Sequence, residues 1–254
     1  MSSGSGTHYN TGSGFSNGLA YDERLGGNNK ASAPSLSFGD NANTNFKAFS
    51  PSFQFPKGQE EYYQKNYPAF YNFVKNQLPN IVQDKNFLQA FMDITGMSQE
   101  EVTKAFTYGE GPTLHDAYLS FGEGQYDYSV TGMKEDINSI SIDIPDALNW
   151  FEKADKNPNT LKGLTNLFSM AALVGHEGSH WGSGVNGNPN KQFMSIFLQE
   201  EGNAFEFKLY NNLYPNAKVA PGILHNGHPN NPSKYLKNYV QQNFQTLSNI
   251  FQNR

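Results

Sequence analysis

The sequence contains no cysteine among its 254 residues. This absence excludes disulfide bonds, zinc sites built from thiolates, and cysteine nucleophiles. A metal site in this chain must therefore be built from His, Asp or Glu side chains and water.

Charge is also scarce, because only 16% of the residues are charged. The chain has 18 Lys and Arg against 23 Asp and Glu, which gives a formal net charge of −5. Proteins that bind nucleic acids usually carry a basic excess or a basic patch. We therefore expect no nucleic-acid partner.

Long apolar runs are missing as well. No stretch of the sequence approaches the roughly 18 apolar residues that a membrane-spanning helix needs. The N-terminus also lacks the basic segment followed by an apolar one that marks a signal peptide. We expect no membrane span, and secretion would need a route other than a signal peptide.

Residues 1–45 differ in composition from the rest, with eight Gly, eight Ser and seven Asn. Such residues bury too little area to offset the entropy lost on ordering. We predict a flexible arm or linker over residues 1–45 and a folded domain over residues 46–254.

The first part of the folded domain has helical patterns. One helix is predicted from about Glu60 to Leu78, and a second one ends at Gly96. Ser98 and Glu101 form a capping-box signature for a third helix.

One strand and one long helix follow. Ile140, Ile142 and Ile144 alternate with polar residues, which predicts a half-buried strand. A long apolar helix that begins after Asn159 or Thr160 is predicted to be central, because its apolar residues surround most of its circumference. We expect an α+β fold that is mostly helical, with a small twisted sheet.

The C-terminal end of this long helix carries His176, Glu177 and His180. Two histidines four positions apart on a helix project from one face, so their imidazoles can occupy adjacent corners of a zinc tetrahedron. This is the His-Glu-x-x-His pattern of zinc metallopeptidases, with Glu177 as the candidate general base. From the residue frequencies, chance would supply this pattern only about 0.007 times in a chain of this length.

A catalytic zinc needs a third protein ligand. In the metzincin pattern, a glycine and a third histidine would occupy the positions of Ser183 and Asn186, which excludes that option. The remaining option is a glutamate from a following helix, which is predicted over Phe193–Tyr210.

This predicted helix contains three glutamates, Glu200, Glu201 and Glu206. We predict Glu201 as the ligand, because the small Ala204 three residues later allows close approach to the long helix that carries His176 and His180. Glu206 could instead form a hydrogen bond to a ligand histidine.

At this point the chain resembles the gluzincin branch of the zincin metallopeptidases. Their pattern is His-Glu-x-x-His followed by a glutamate about twenty residues later. The resemblance implies that His176, His180 and Glu201 bind one Zn²⁺ per chain and that Glu177 activates the water on it. Glu200 fits the spacing of some gluzincins slightly better, so the choice between these neighbours stays open.

The resemblance covers residues 139–214 and implies a zincin-like fold. In that family the strand before the zinc helix forms a sheet edge along which the substrate lies. The mechanism also needs a second electrophile for the transition state. The candidates are Tyr210, Tyr214, His225 and His228.

Four short motifs, in this order, are similar to the C-terminal metallopeptidase domains of bacterial polymorphic toxins. They are Tyr108–Pro112, Ile140–Asp143, His176–Gly182 and Glu200–Glu206. This resemblance implies a secreted toxin or effector that is delivered into a target cell, with a protein or peptide substrate and a cognate immunity protein.

Three classes of function remain open. The first is a zinc endopeptidase, and the second is a zinc amidase that acts on a non-protein or cell-wall peptide amide. The third is a catalytically inactive zincin that serves as a binding module. The sequence disfavours the third class, because the base Glu177 is present.

Overall fold

The computed structural model describes residues 53–119, 124–126, 139–186, 201–211, 227–228 and 231–252. All of them belong to the unit that spans Phe49–Arg254. The predicted arm over residues 1–45 lies outside the described residues.

Four strands form the main sheet: β1 (Phe53–Gln54), β2 (Tyr108–Ala117), β3 (Gly124–Tyr126) and β4 (Ser139–Asp143). Their spatial order is β1-β2-β4-β3. The β1–β2 and β2–β4 pairs are parallel, and β3 runs antiparallel to β4. Strand β3 is therefore the outer strand on the β4 side of the described sheet.

This topology corrects the expectation that the strand before the zinc helix forms the sheet edge. That strand, β4, lies between β2 and β3. Its Ser141 and Asp143 are buried, at 3% and 2% exposure, as are Ile140 and Ile142, so the prediction of a half-buried strand was also wrong. The strand ends at Asp143, and Ile144 begins a π-helical turn, Ile144–Leu148.

The segment predicted as one helix from Glu60 to Leu78 is divided. Helix α1 (Glu60–Asn66) ends before α2 (Pro68–Asn72), which continues through a π-helical turn, Phe73–Gln77, into a 3₁₀ segment, Leu78–Gln83. Proline has no N–H and restricts the residue before it. Tyr67 accordingly has non-helical dihedrals of −134° and 60°.

The predicted signals for the next two helices are confirmed. Helix α3 (Lys85–Thr95) ends at Gly96, which has a φ of 70°. Helix α4 (Gln99–Phe106) begins with the capping box, because Ser98 Oγ accepts from the Glu101 N–H and the Glu101 carboxylate accepts from the Ser98 N–H.

The long helix α6 (Leu161–Val185) follows the short helix α5 (Asn149–Lys153) and is capped by the Thr160 side chain. Most of its 25 residues are buried, which confirms its central position. It packs against α3, β3, α7 (Glu201–Asn211), α8 (Lys234–Gln242) and α9 (Phe244–Gln252). A small hairpin of β5 (Gly227–His228) and β6 (Asn231–Pro232) precedes α8. None of the described helices is long and apolar enough to cross a membrane.

Helix α7 is fixed against both α3 and α6. Phe205 of α7 packs edge-to-face on Phe87 of α3, with ring centroids 5.1 Å apart, and such pairs add about 0.5–1.5 kcal/mol beyond burial. Lys208 forms a 2.8 Å ion pair with Asp93 of α3. These contacts set which residues of α7 face the histidines of α6.

Candidate active site

Helix α6 presents His176 and His180 one turn apart on the same face. Their ring centroids are 5.5 Å apart and their planes are inclined by 63°. The two side chains are 14% and 20% exposed, although the helix around them is largely buried. The imidazoles are therefore reachable from outside, while their backbone is held rigidly in the core.

Glu177 lies between this histidine face and the sheet. Its side chain is only 8% exposed, and its Oε1 atom lies 4.0 Å from His176 Nε2. On the sheet side it is next to Gly124 of the outer strand β3. The carboxylate is thus confined beside the imidazoles, where a general base would need to be.

Helix α7 supplies a carboxylate to each histidine. His176 Nδ1 lies 2.6 Å from Oε1 of Glu206, and His180 Nδ1 lies 2.9 Å from Oε2 of Glu201. The Glu206 side chain is 1% exposed, and that of Glu201 is 16% exposed. A carboxylate at Nδ1 accepts the ring proton there, which leaves the Nε2 lone pair as the donor for a metal.

Gly202 brings α7 directly onto His176. A Cβ atom at this position would overlap Cδ2, Nε2 and Cε1 of the His176 ring. Any larger residue would therefore displace either the imidazole or the helix that carries Glu201 and Glu206.

Glu206 is expected to control the orientation of His176. Replacing Glu206 with glutamine keeps an acceptor oxygen but removes the charge, and we expect metal affinity to fall about 10- to 100-fold. Replacing it with alanine removes the hydrogen bond too and should weaken binding further. Competition with a chromogenic chelator measures both variants. Unchanged affinity in the alanine variant would contradict this role.

The side chains at this site fit a metal ion in their donor chemistry. Neutral imidazoles and carboxylates are ordinary zinc ligands, and the two histidines are spaced and oriented as a pair. Within the residues that the structure describes, however, no group of three or more His, Asp or Glu side chains is arranged to hold a metal ion. Glu201 contacts His180, but it is not arranged together with both histidines as a set of three metal ligands.

The other residues predicted for this site are the candidate electrophiles Tyr210, Tyr214, His225 and His228 and the alternative ligand Glu200. Tyr210 is fully buried against Tyr239, with ring centroids 5.7 Å apart. Burial, with a smaller contribution from the Glu206 charge, raises the pKa of the Tyr210 phenol well above its ordinary value. It is therefore a core residue, four positions after Glu206 in α7. Three other candidates, Glu200, Tyr214 and His225, lie outside the described residues, and of His228 only its place in β5 is described.

No pattern in the sequence indicates that Gly124 lies beside Glu177. Strand β3 has three residues, which is too short for a recognisable alternation. The contact also joins positions more than fifty residues apart. Glu201 and Glu206 were predictable from the sequence as candidates for contacts with the histidines. The histidine nitrogen that each of them contacts was not predictable.

Two imidazoles one helical turn apart, with a buried carboxylate beside them, are the arrangement that the His-Glu-x-x-His pattern of metallopeptidases predicts. A family model described as metallopeptidase toxin 3 matches residues 63–211, which is more than half of the chain. The chain belongs to this family of metallopeptidase toxin domains. Neither a curated protein nor a solved structure matches the chain significantly.

Proposed function

We propose that this chain is a zinc-dependent peptidase with a zincin-like fold, in which His176, His180 and Glu201 bind the metal and Glu177 is the general base. The observation that carries the proposal is the confinement of Glu177 beside two histidines on one face of α6, the first of which has its Nδ1 atom held by Glu206. The family match supports a peptidase over an amidase that acts on other amides.

Zinc bound at this site would supply Lewis acidity, which polarises a carbonyl group and lowers the pKa of water. The carboxylate of Glu177 accepts a proton from the attacking water and passes it to the nitrogen of the leaving amine. Glu206 and the face of Gly202 hold the His176 ring in place during this cycle.

Glu201 has two roles that an experiment can separate. If zinc is bound through Nε2 of His180, with bonds of about 2.0–2.2 Å, the oxygen of a second ligand lies about 3.4 Å from that nitrogen, on the Nε2 side of the ring. The observed 2.9 Å between His180 Nδ1 and Glu201 Oε2 is a hydrogen-bond distance. As a ligand, Glu201 must open this contact, whereas as an orienting group it keeps it.

The substrate is proposed to be a protein or peptide bound in extended form. Among the described residues, strand β3 is the outer strand beside Glu177, and an extended peptide can add to such an edge through main-chain hydrogen bonds. This position replaces β4 as the proposed substrate edge.

The family also supports a toxin role. We propose that the domain is secreted or delivered into a target cell, where it cleaves a protein, and that a cognate immunity protein protects the producing cell. The predicted Gly/Ser/Asn-rich arm over residues 1–45 would serve as the joint to a carrier.

The decisive experiment compares the purified chain with Glu201→Ala, Glu201→Gln and Glu200→Ala. Zinc per chain is measured by elemental analysis, and cleavage is measured with a peptide library. We expect one zinc per chain, lost in both Glu201 variants and retained in Glu200→Ala.

Each other outcome has a distinct meaning. Zinc retained in Glu201→Gln but lost in Glu201→Ala would make Glu201 an orienting residue for His180. Zinc lost only in Glu200→Ala would transfer the ligand role to Glu200. No zinc in the wild-type chain after remetallation would refute the proposal.

A further inference from the structure

The outer strand β3 meets α6 through a residue without a side chain. Gly124 pairs with Ile142 of β4 and lies directly beside Glu177. A Cβ atom at Gly124 would be 2.9 Å from Glu177 Cγ, 3.2 Å from Glu177 Oε1 and 3.2 Å from Leu173 Cδ1. The first distance is shorter than real Cβ contacts, so a methyl group here would force Glu177 or the strand to move.

The carboxylate oxygen nearest to Gly124 also faces the histidine pair. Glu177 Oε1 lies 4.0 Å from His176 Nε2 and 3.2 Å from the position of the missing Cβ. This oxygen is therefore held between the outer strand and the first histidine. A displacement of Oε1 away from an added Cβ atom would change its distance to His176 Nε2, because both distances involve the same oxygen.

Backbone conformation does not account for this glycine. The described glycines with positive φ are Gly58, Gly96 and Gly109, whereas Gly124 lies in an antiparallel strand pair. Alanine can adopt the strand conformation and loses less entropy on folding than glycine. The glycine is thus explained by the space that Glu177 occupies.

We propose that Gly124 is a positioning residue for Glu177: the absence of its side chain lets the outer strand close against the α6 helix while the carboxylate keeps its place beside His176. This inference rests on the proposed function for its catalytic consequence. Strand β3 then lies against the Glu177 carboxylate on one side, and it is also the strand to which the substrate is proposed to add.

The test is Gly124→Ala, with kcat and KM measured on a peptide substrate of the wild-type chain. We expect kcat to fall about 10- to 100-fold, since displacements of about 1 Å at a reacting group cause losses of this size. KM should stay within about twofold, because an alanine keeps the main-chain edge on which a peptide would pair. Zinc per chain should match the wild type, and the melting temperature should fall only slightly because one methyl group is overpacked, which a general disruption of the sheet would not allow.

A second measurement does not depend on activity. The glutamates are labelled with ¹³C at the side-chain carboxyl carbon and observed by NMR. The signal of Glu177 is assigned as the one that is missing from the spectrum of Glu177→Gln. We expect this signal to shift in Gly124→Ala while those of the exposed glutamates stay in place. Unchanged kcat together with an unshifted signal would overturn the inference.

The two proposals fail in different ways. If the wild-type chain holds no zinc or cleaves no peptide, the proposed function fails, and the carboxyl signal alone decides the role of Gly124. If Gly124→Ala does not fold, the double variant with Leu173→Ala, which removes the contact with Leu173 and leaves the closer one with Glu177 Cγ, is compared with Leu173→Ala alone. An identical kcat and carboxyl signal in that pair would also overturn the inference.

Discussion

Glu177→Gln is expected to keep its zinc and lose its turnover. Glutamine has nearly the same shape as glutamate and can occupy the buried space beside Gly124, but it cannot accept a proton from water. General-base catalysis contributes about 10²- to 10⁴-fold, so kcat should fall by at least that range. The measurements are elemental analysis for zinc and peptide cleavage for kcat.

Glu61→Gln is the matched control for this change. Glu61 is exposed in the first turn of α1, so the control removes one carboxylate charge from a residue that is not part of the candidate site. Its turnover should equal that of the wild type. Full activity with retained zinc in Glu177→Gln would refute the assignment of the base, and toxicity that survives the change would favour a binding module.

Local signals in the sequence predicted where α6 and two other helices begin or end. Thr160 begins α6, Gly96 ends α3, and the Ser98 capping box begins α4, because each of these residues satisfies backbone groups within its own few neighbours. The spacing of His176 and His180 is equally local, since the helix period alone places both rings on one face. These features needed no knowledge of the rest of the chain.

The sheet could not be predicted in the same way. The order β1-β2-β4-β3 joins segments that are far apart in sequence, and no period within β4 shows which strands lie beside it. The alternation of Ile140 and Ile142 correctly indicated a strand. It did not show that Ser141 and Asp143 are also buried, because their burial depends on the elements around the strand.

The carboxylates of the site show the same limit. The sequence indicated that Glu201 and Glu206 lie on the helix facing the histidines, but their angle around that helix depends on how α7 packs. Phe205 fixes this angle by contacting Phe87 of α3. Gly124 reaches Glu177 only because β3 pairs with β4, so neither partner could be inferred from its own surroundings.

His180→Ala is expected to lose both zinc and activity, because the variant retains only one imidazole of the pair. A ligand that binds only the folded state stabilises it by about 4 kcal/mol when its concentration is 1,000 times its Kd. For a domain of this size, that energy raises the melting temperature by roughly 10 °C. Thermal unfolding with and without added zinc should show this increase for the wild type and none for His180→Ala.

The control for this prediction is His115→Ala. His115 lies on β2, where its Nε2 atom is 3.2 Å from Ser141 Oγ, and it is not part of the histidine pair on α6. This variant removes the same ring, so any weak binding of zinc to surface histidines is reduced equally in both proteins. Stabilisation by zinc that persists in His180→Ala but disappears in His115→Ala would place the metal at the sheet and not on α6. Stabilisation that disappears only in His180→Ala would link the metal to the helix that carries Glu177, which is the arrangement that catalysis by this residue requires.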